Sequence, residues 1–330
     1  VAEEHDRVLD LLTRANARGE SEAIWQALLH WLRYLKPTDG TVMEQFLEAL
    51  LDQFPDLLRS DELAELFAYL HWRYPDFVRR YIEAWASAGD DYFEQLAGEL
   101  ATLIAFVRPE LPWASPLLEA IIFDRGTAWT RLGAINTAVN LFPNAQYRER
   151  ASKLLVRIIP LVRGQAWRNL FDLFRIVDEI SPEPAWIALL RAIEANLSQA
   201  SEVDATFVVD RLASLLPHEA TLVARIAKRL IEAWSNELGD ISTSTAGSAA
   251  ELVDLAITLH RLGDETREIG LDLFERLVEI QAYTARETLE QIDNRFRSRR
   301  LQRRQRLPRR RRGANGPNSA PDKRPDTNKH

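Results

Sequence analysis

Apolar residues recur along this chain at steps of three and four. Trp25, Leu28, Leu29, Leu32 and Leu35 share one helical face by that spacing. The pattern returns at Leu63, Leu66, Phe67 and Leu70, at Leu154, Leu155, Ile158, Ile159 and Val162, and at Leu271, Phe274, Leu277 and Val278. The β-branched runs Ile121-Ile122 and Thr206-Phe207-Val208-Val209 sit inside the same period, so no strand is predicted. The periodicity predicts about sixteen helices, near residues 2–17, 21–36, 41–53, 60–73, 76–88, 91–107, 115–123, 127–141, 145–161, 165–180, 183–198, 203–215, 218–237, 248–262, 265–281 and 284–306.

Local chemistry marks where these helices begin and end. Thr41–Glu44, Ser248–Glu251 and Thr284–Glu287 read as capping boxes, in which a hydroxyl and a carboxylate satisfy free N–H groups reciprocally. Ser181-Pro182 reads as an N-cap followed by proline at the first helical position. Gly19, Gly89, Gly239 and Gly263 fall where helix ends are expected. The polar stretch Asn236–Ala249 is the one long internal loop, read as a long inter-repeat loop, with a sub-boundary at 238–248 as the alternative.

A faint repeat runs through the punctuation. Phe54-Pro55-Asp56 is echoed by Tyr74-Pro75-Asp76 and, more loosely, by Phe142-Pro143-Asn144. In each, an aromatic closes one helix, a proline breaks the chain, and an Asp or Asn caps the next. That is the punctuation of helical hairpins stacked in series, an all-α solenoid. A compact helical bundle is the alternative, because this junction also occurs outside repeats.

Charge divides the chain. From Arg295 to His330 there are 14 Lys and Arg against 2 Asp and Glu, a balance of +12. The other 294 residues carry 28 basic against 47 acidic groups, a balance of −19. Beyond Phe296 the apolar pattern fades into Arg, Pro, Asn and Gly, a composition that builds no core. The expected organisation is therefore a helical body over 1–296 and a disordered arginine-rich tail over 297–330.

The tail supplies the candidate binding residues: Arg299, Arg300, Arg303, Arg304, Arg306, Arg309, Arg310, Arg311 and Arg312. Such a segment can hold polyanions through counterion release, without sequence preference. It has almost no interleaved aromatics, so base stacking is not expected. Pairing with acidic protein surface, and a solvated end with no role, are the other readings.

Catalytic and cofactor signatures are missing. With no cysteine, thiolate chemistry and disulfides are excluded. The six histidines are never in ligand spacing; His218-Glu219 is followed by Leu222 where a zinc protease helix needs a second His. No phosphate-binding loop or nucleophile elbow occurs. Neither a cofactor nor a small-molecule substrate is expected, and no enzyme activity. His71-Trp72 and His30-Trp31 read as helix faces with a polar tip, and most of the nine tryptophans as packing residues. The acidic N-terminus does not suit a signal peptide. No run reaches the ~18 apolar residues of a membrane span. A cytoplasmic setting is expected.

The block Leu252–Phe296 resembles the C-terminal helical-repeat region of large bacterial ATP-binding proteins of the defence type. Gly263-Asp264, Arg267, Gly270-Leu271, Leu273-Phe274-Glu275, Ala282-Tyr283 and Ala285 carry the resemblance. The Asp264 and Arg267 arrangement is also similar to HEAT repeats, in which an acid and an arginine tie adjacent turns. The resemblance implies a HEAT-like sensor or scaffold arm that binds protein partners, with a nucleotide-hydrolysing core upstream. The chain begins at Val1, and Met43 is its only methionine. Either a non-AUG start or a piece of a longer protein is expected.

Overall fold

The structure is a computed structural model that describes residues 2–19, 40–53, 61–164, 166–200, 205–238 and 245–280, with isolated positions between 24 and 30 and between 282 and 290. Among the described residues every regular element is helical and no strand occurs. The chain divides into Val1–Ala285 and Arg286–His330, and the fifteen helices named below belong to the first.

Fifteen α-helices lie among the described residues. They are α1 Ala2–Ala17, α2 Gly40–Gln53, α3 Asp61–Leu70, α4 Pro75–Trp85, α5 Asp91–Val107, α6 Ala114–Glu119, α7 Ala128–Leu141 and α8 Ala145–Ile158. There follow α9 Ala166–Phe171, α10 Leu173–Ile176, α11 Pro184–Asn196, α12 Ala205–Ala213, α13 Leu216–Leu238, α14 Thr245–Leu262 and α15 Asp264–Glu279. The expected helices at 21–36 and 284–306 lie outside the described residues, in whole or in greater part.

The apolar period is the core. Leu63, Leu66, Phe67 and Leu70 are all buried in α3, and Leu154, Leu155 and Ile158 in α8. Each such side chain contributes roughly 1.5–3 kcal/mol by leaving water. Aromatic rings join neighbouring helices. Phe67 meets Trp85 at 4.7 Å between centroids, and Trp85 stacks on Phe93 at 5.5 Å. Further along, Phe142 meets Trp186 edge-on at 4.5 Å.

Several junctions differ from the sequence expectation. The helix expected at 165–180 is two short ones, broken at Asp172 and finished at Ile176. Val177 then turns extended, and both Val177 and Ile180 bury into the core. Their period reflected burial, not helix. The next helix starts at Pro184, not Pro182. Its N-cap is Glu183, extended at φ −66° and ψ 147° and without a capping side chain. A helix begun at Pro182 would force the residue before Pro184 into the α region, which proline disfavours. Glu183 instead pairs with Arg148 at 2.8 Å.

Two expected capping boxes also shift. α14 begins at Thr245, so Ser248 and Glu251 lie inside the helix. α2 begins at Gly40, one residue before Thr41. The box at Thr284 lies outside the described residues. Among the described residues, a capping box forms at Thr127 and a side-chain cap at Asp90. Thr127 accepts from the Thr130 N–H at 3.1 Å while Thr130 Oγ1 accepts from the Thr127 N–H at 3.0 Å. Asp90 accepts from the Tyr92 and Phe93 N–H groups.

The repeated aromatic-proline junction is only partly regular. Phe142 ends α7 and Asn144 caps α8 through the Gln146 N–H, as expected. At the Tyr74 junction, Pro75 is itself the first helical residue, and Asp76 sits in the first turn without capping. The Phe54 copy lies outside the described residues. Gly19 follows the end of α1 at φ 73°, and Gly89 lies at φ 66° in the turn after α4, three residues beyond its C-cap Ala86.

Helices pack on near neighbours in the chain. α5 lies against α3, α4, α6 and above all α7, which also holds α8 and α9. α11 joins α8 to α13, and α12 joins α10 to α14, while α13, α14 and α15 pack on one another.

Candidate functional site

The tightest helix contact positions the most distinctive surface. Gly98 of α5 and Gly133 of α7 face each other's backbones. A Cβ on Gly98 would lie 2.0 Å from the Thr130 carbonyl oxygen, and one on Gly133 2.0 Å from that of Gln95. Only glycine permits this approach. The polar side chains one turn along are thereby brought within bonding reach.

They form a ladder across three helices. Glu99 Oε1 accepts from Gln95 Nε2 at 2.9 Å and from Asn136 Nδ2 at 3.2 Å. Asn136 Oδ1 accepts in turn from Asn169 Nδ2 of α9 at 2.6 Å. Thr137 Oγ1 donates to the Glu99 carbonyl at 3.3 Å. Both amides go to one carboxylate oxygen, and Glu99 Oε2 has no partner among the described residues. A carboxylate fixed in this way is an acceptor held ready for a donor from outside.

Beside it lies an open cleft of about 260 Å³ between α3, α5 and α7. Its apolar lining is Ala64 and Ala68 on α3, Leu96, Leu100 and Leu103 on α5, and Leu141 on α7. Glu65, Glu99, Thr137 and Asn140 supply its polar edge, with no cation among the lining residues. The α5 positions 96, 99, 100 and 103 follow the helical period, so α5 is the floor and the flanking helices are the walls. Small-molecule pockets span roughly 300–1,000 Å³. This cleft is smaller and suits one or two protruding side chains.

A second cluster lies where α3 ends and α5 ends. His71 is 1% exposed, and neither ring nitrogen has a hydrogen-bond partner. Burial and then the Arg108 charge hold its pKa below 6.5. Arg108 stacks over Trp72 at 4.6 Å from the ring centroid and donates to the His71 carbonyl at 3.4 Å. It also pairs with Glu110. Trp72 is 57% exposed, the largest apolar side chain so presented among the described residues, whereas Trp85, Trp167 and Trp186 are buried as packing residues. The polar-tip reading of His71 is thus reversed: the histidine is inside and its tryptophan neighbour outside.

The nine tail arginines all lie outside the described residues. No group of three or more His, Asp or Glu able to hold a metal occurs among the described residues. His218 lies in the first turn of α13. No described helix is long and apolar enough to cross a membrane. The Asp264–Arg267 pair forms at 3.1 Å within the first turn of α15, on the surface, and does not bridge helices. Sequence reading passed over Glu99, Asn136 and the two glycines. The available signal was a glycine beside a polar residue in otherwise apolar helices, Ala97-Gly98-Glu99 and Gly133-Ala-Ile-Asn136.

No family model matches the chain, and no solved structure matches it significantly. A stretch of 99 residues is 30% identical to the non-reducing polyketide synthase nscA of Neosartorya fischeri. It is 29% identical to the protein of the same name in Aspergillus fumigatus. The similarity covers 30% of this chain and about 5% of the length of either relative.

Proposed function

We propose that this chain is a protein-binding scaffold built as a HEAT-like α-solenoid, without catalysis of its own. The observation that carries the reading is a common sequence separation in the polar bonds between helices. Arg80 reaches Glu48 over 32 residues, Asn169 reaches Asn136 over 33, and Arg148 reaches Glu183 over 35. Asn136 reaches Glu99 over 37, Arg157 reaches Glu119 over 38, and Lys228 reaches Asp272 over 44. A series of like units, each bonded to the next, produces such a register.

The packing supports the same reading. α3, α5, α7 and α9 follow one another in contact, and α8, α11, α13 and α15 form a second such series. Two series of alternate helices are what stacked hairpins create. The resemblance of Leu252–Phe296 favours a sensor or scaffold arm in a bacterial nucleotide-hydrolysing system.

Small-angle scattering on the full chain tests the architecture, and an isometric particle would overturn it. A panel of helical and extended peptides, varied in charge, tests the binding role. Saturable binding of at least one class is expected. Failure of all classes against a chain that is folded by circular dichroism overturns the scaffold reading.

A second reading rests on the +12 balance of residues 295–330. The tail then binds nucleic acid through phosphates. Full-chain affinity for DNA or RNA would fall steeply between two salt concentrations. Replacing Arg309, Arg310, Arg311 and Arg312 by glutamine would flatten that slope. An unchanged slope removes the tail from the account.

A further inference from the structure

We infer that the cleft between α3, α5 and α7 is a docking groove for a basic amphipathic helix of a partner protein. The inference rests on the scaffold reading and assigns its binding face.

Three observations commit the groove to this occupant. The first is shape. The floor is one helix, α5, where Leu103 is partly exposed and Leu96 and Leu100 lie buried beneath the surface, and α3 and α7 stand on either side. A helix laid across such a cleft inserts one or two side chains, at positions i and i+3 or i+4. Strand addition would need a sheet edge, and no strand occurs among the described residues.

The second is charge. The lining holds the Glu99 carboxylate and no cation. Residues 1–294 carry a balance of −19, which draws a basic partner in from a distance. A helix with an apolar stripe flanked by Lys or Arg complements both the floor and the edge.

The third is preorganisation. Gln95 and Asn136 hold Glu99 through one oxygen and leave the other without a partner among the described residues. Asn169 holds Asn136 in turn. Little side-chain entropy is then lost when a guanidinium or ammonium group docks there.

The test uses the full chain and three synthetic helical peptides with one apolar stripe, flanked by Lys, Gln or Glu. The Lys peptide should bind at least tenfold more tightly than the Gln peptide, and the Glu peptide more weakly still. Glu99→Gln keeps an oxygen for its amide partners but removes the charge. It should weaken the Lys peptide about tenfold and leave the Gln peptide unchanged. Glu149→Gln, at an exposed carboxylate of α8 that pairs with Lys153, controls for general acidity and should change nothing. Ala64→Arg should block all three peptides by filling the groove.

Equal weakening by Glu99→Gln and Glu149→Gln overturns the groove, leaving only diffuse attraction. Binding that survives both Ala64→Arg and Glu99→Gln also overturns it, while the scaffold reading stands. Binding of no peptide at all overturns both.

Discussion

Gly98 and Gly133 face each other's helix backbones so closely that neither position has room for a methyl group. In each case the obstacle is a carbonyl oxygen of the opposing helix, 2.0 Å from where the Cβ would sit. Backbone cannot rotate aside as a long side chain can. Alanine would gain about 1 kcal/mol of helix propensity at either site. Overpacking of this kind costs typically 1–3 kcal/mol and sometimes more. The clash should win. Gly98→Ala and Gly133→Ala are each expected to destabilise by about 2 kcal/mol or more, read from the urea midpoint. A stabilised variant would show that the helices are not in this contact.

His71 should make stability depend on pH. Its folded pKa lies below 6.5 because burial, then Arg108, disfavours the charged ring, and the backbone at Ala68 and Phe67, with Glu110, opposes them only in part. The unfolded chain therefore takes up the proton first. The contribution is whole above about pH 6.5, shrinks as pH falls, and stops changing below the folded pKa. Unfolding in urea at pH 7.5 and 5.5 should show a larger loss for the parent chain than for His71→Leu. Equal losses would exclude His71 as the source.

The capping box at Thr127 is worth a measurable amount. Its hydroxyl takes the Thr130 N–H, and Thr130 reciprocates. Losing such a cap costs about 1 kcal/mol. Thr127→Ala should lower the thermal midpoint by a few degrees and leave the helix content by circular dichroism unchanged. A midpoint equal to the parent's would mean that the cap is idle.

Arg157 offers a contrast, because its bonds are good but wet. It meets Glu119 through both terminal nitrogens, at 2.5 and 2.7 Å, and lies 4.0 Å from the Phe123 ring centroid. Hydrogen bonding from Arg157 holds the Glu119 carboxyl below its ordinary range. That stabilisation is present above the ordinary carboxylate pKa and is lost as pH falls through the depressed one. Both side chains are about half exposed, so a double-mutant cycle with Arg157→Ala and Glu119→Gln should give a coupling no larger than about 1 kcal/mol. Arg157→Lys should recover less than half of it, lacking the flat fork that stacks and pairs at once. A coupling of several kcal/mol would contradict the exposure seen here.

The helices were legible in the sequence because burial imposes their period directly. Leu63, Leu66, Phe67 and Leu70 announce α3 without any tertiary knowledge. Junctions were less legible, because several signals compete there. Two prolines at 182 and 184 offered two starting points, and only the restriction on Glu183 decides between them. Val177 and Ile180 kept an apolar rhythm while leaving the helix. The candidate groove was hidden for another reason. Glu99, Asn136 and Asn169 are ordinary polar residues on three separate helices, and their meeting depends on a glycine contact between α5 and α7. Periodicity within one helix carries no information about its neighbour. The tail arginines stood out in composition, yet they lie outside the described residues.

The separations of 32–44 residues between bonded side chains also bear on how the chain is made. A nascent polypeptide needs only about that length clear of the ribosome before its first cross-helix bonds have both partners. Later segments add to a surface already formed. Topology so local favours fast folding, and little apolar surface waits for the far end of the chain to arrive.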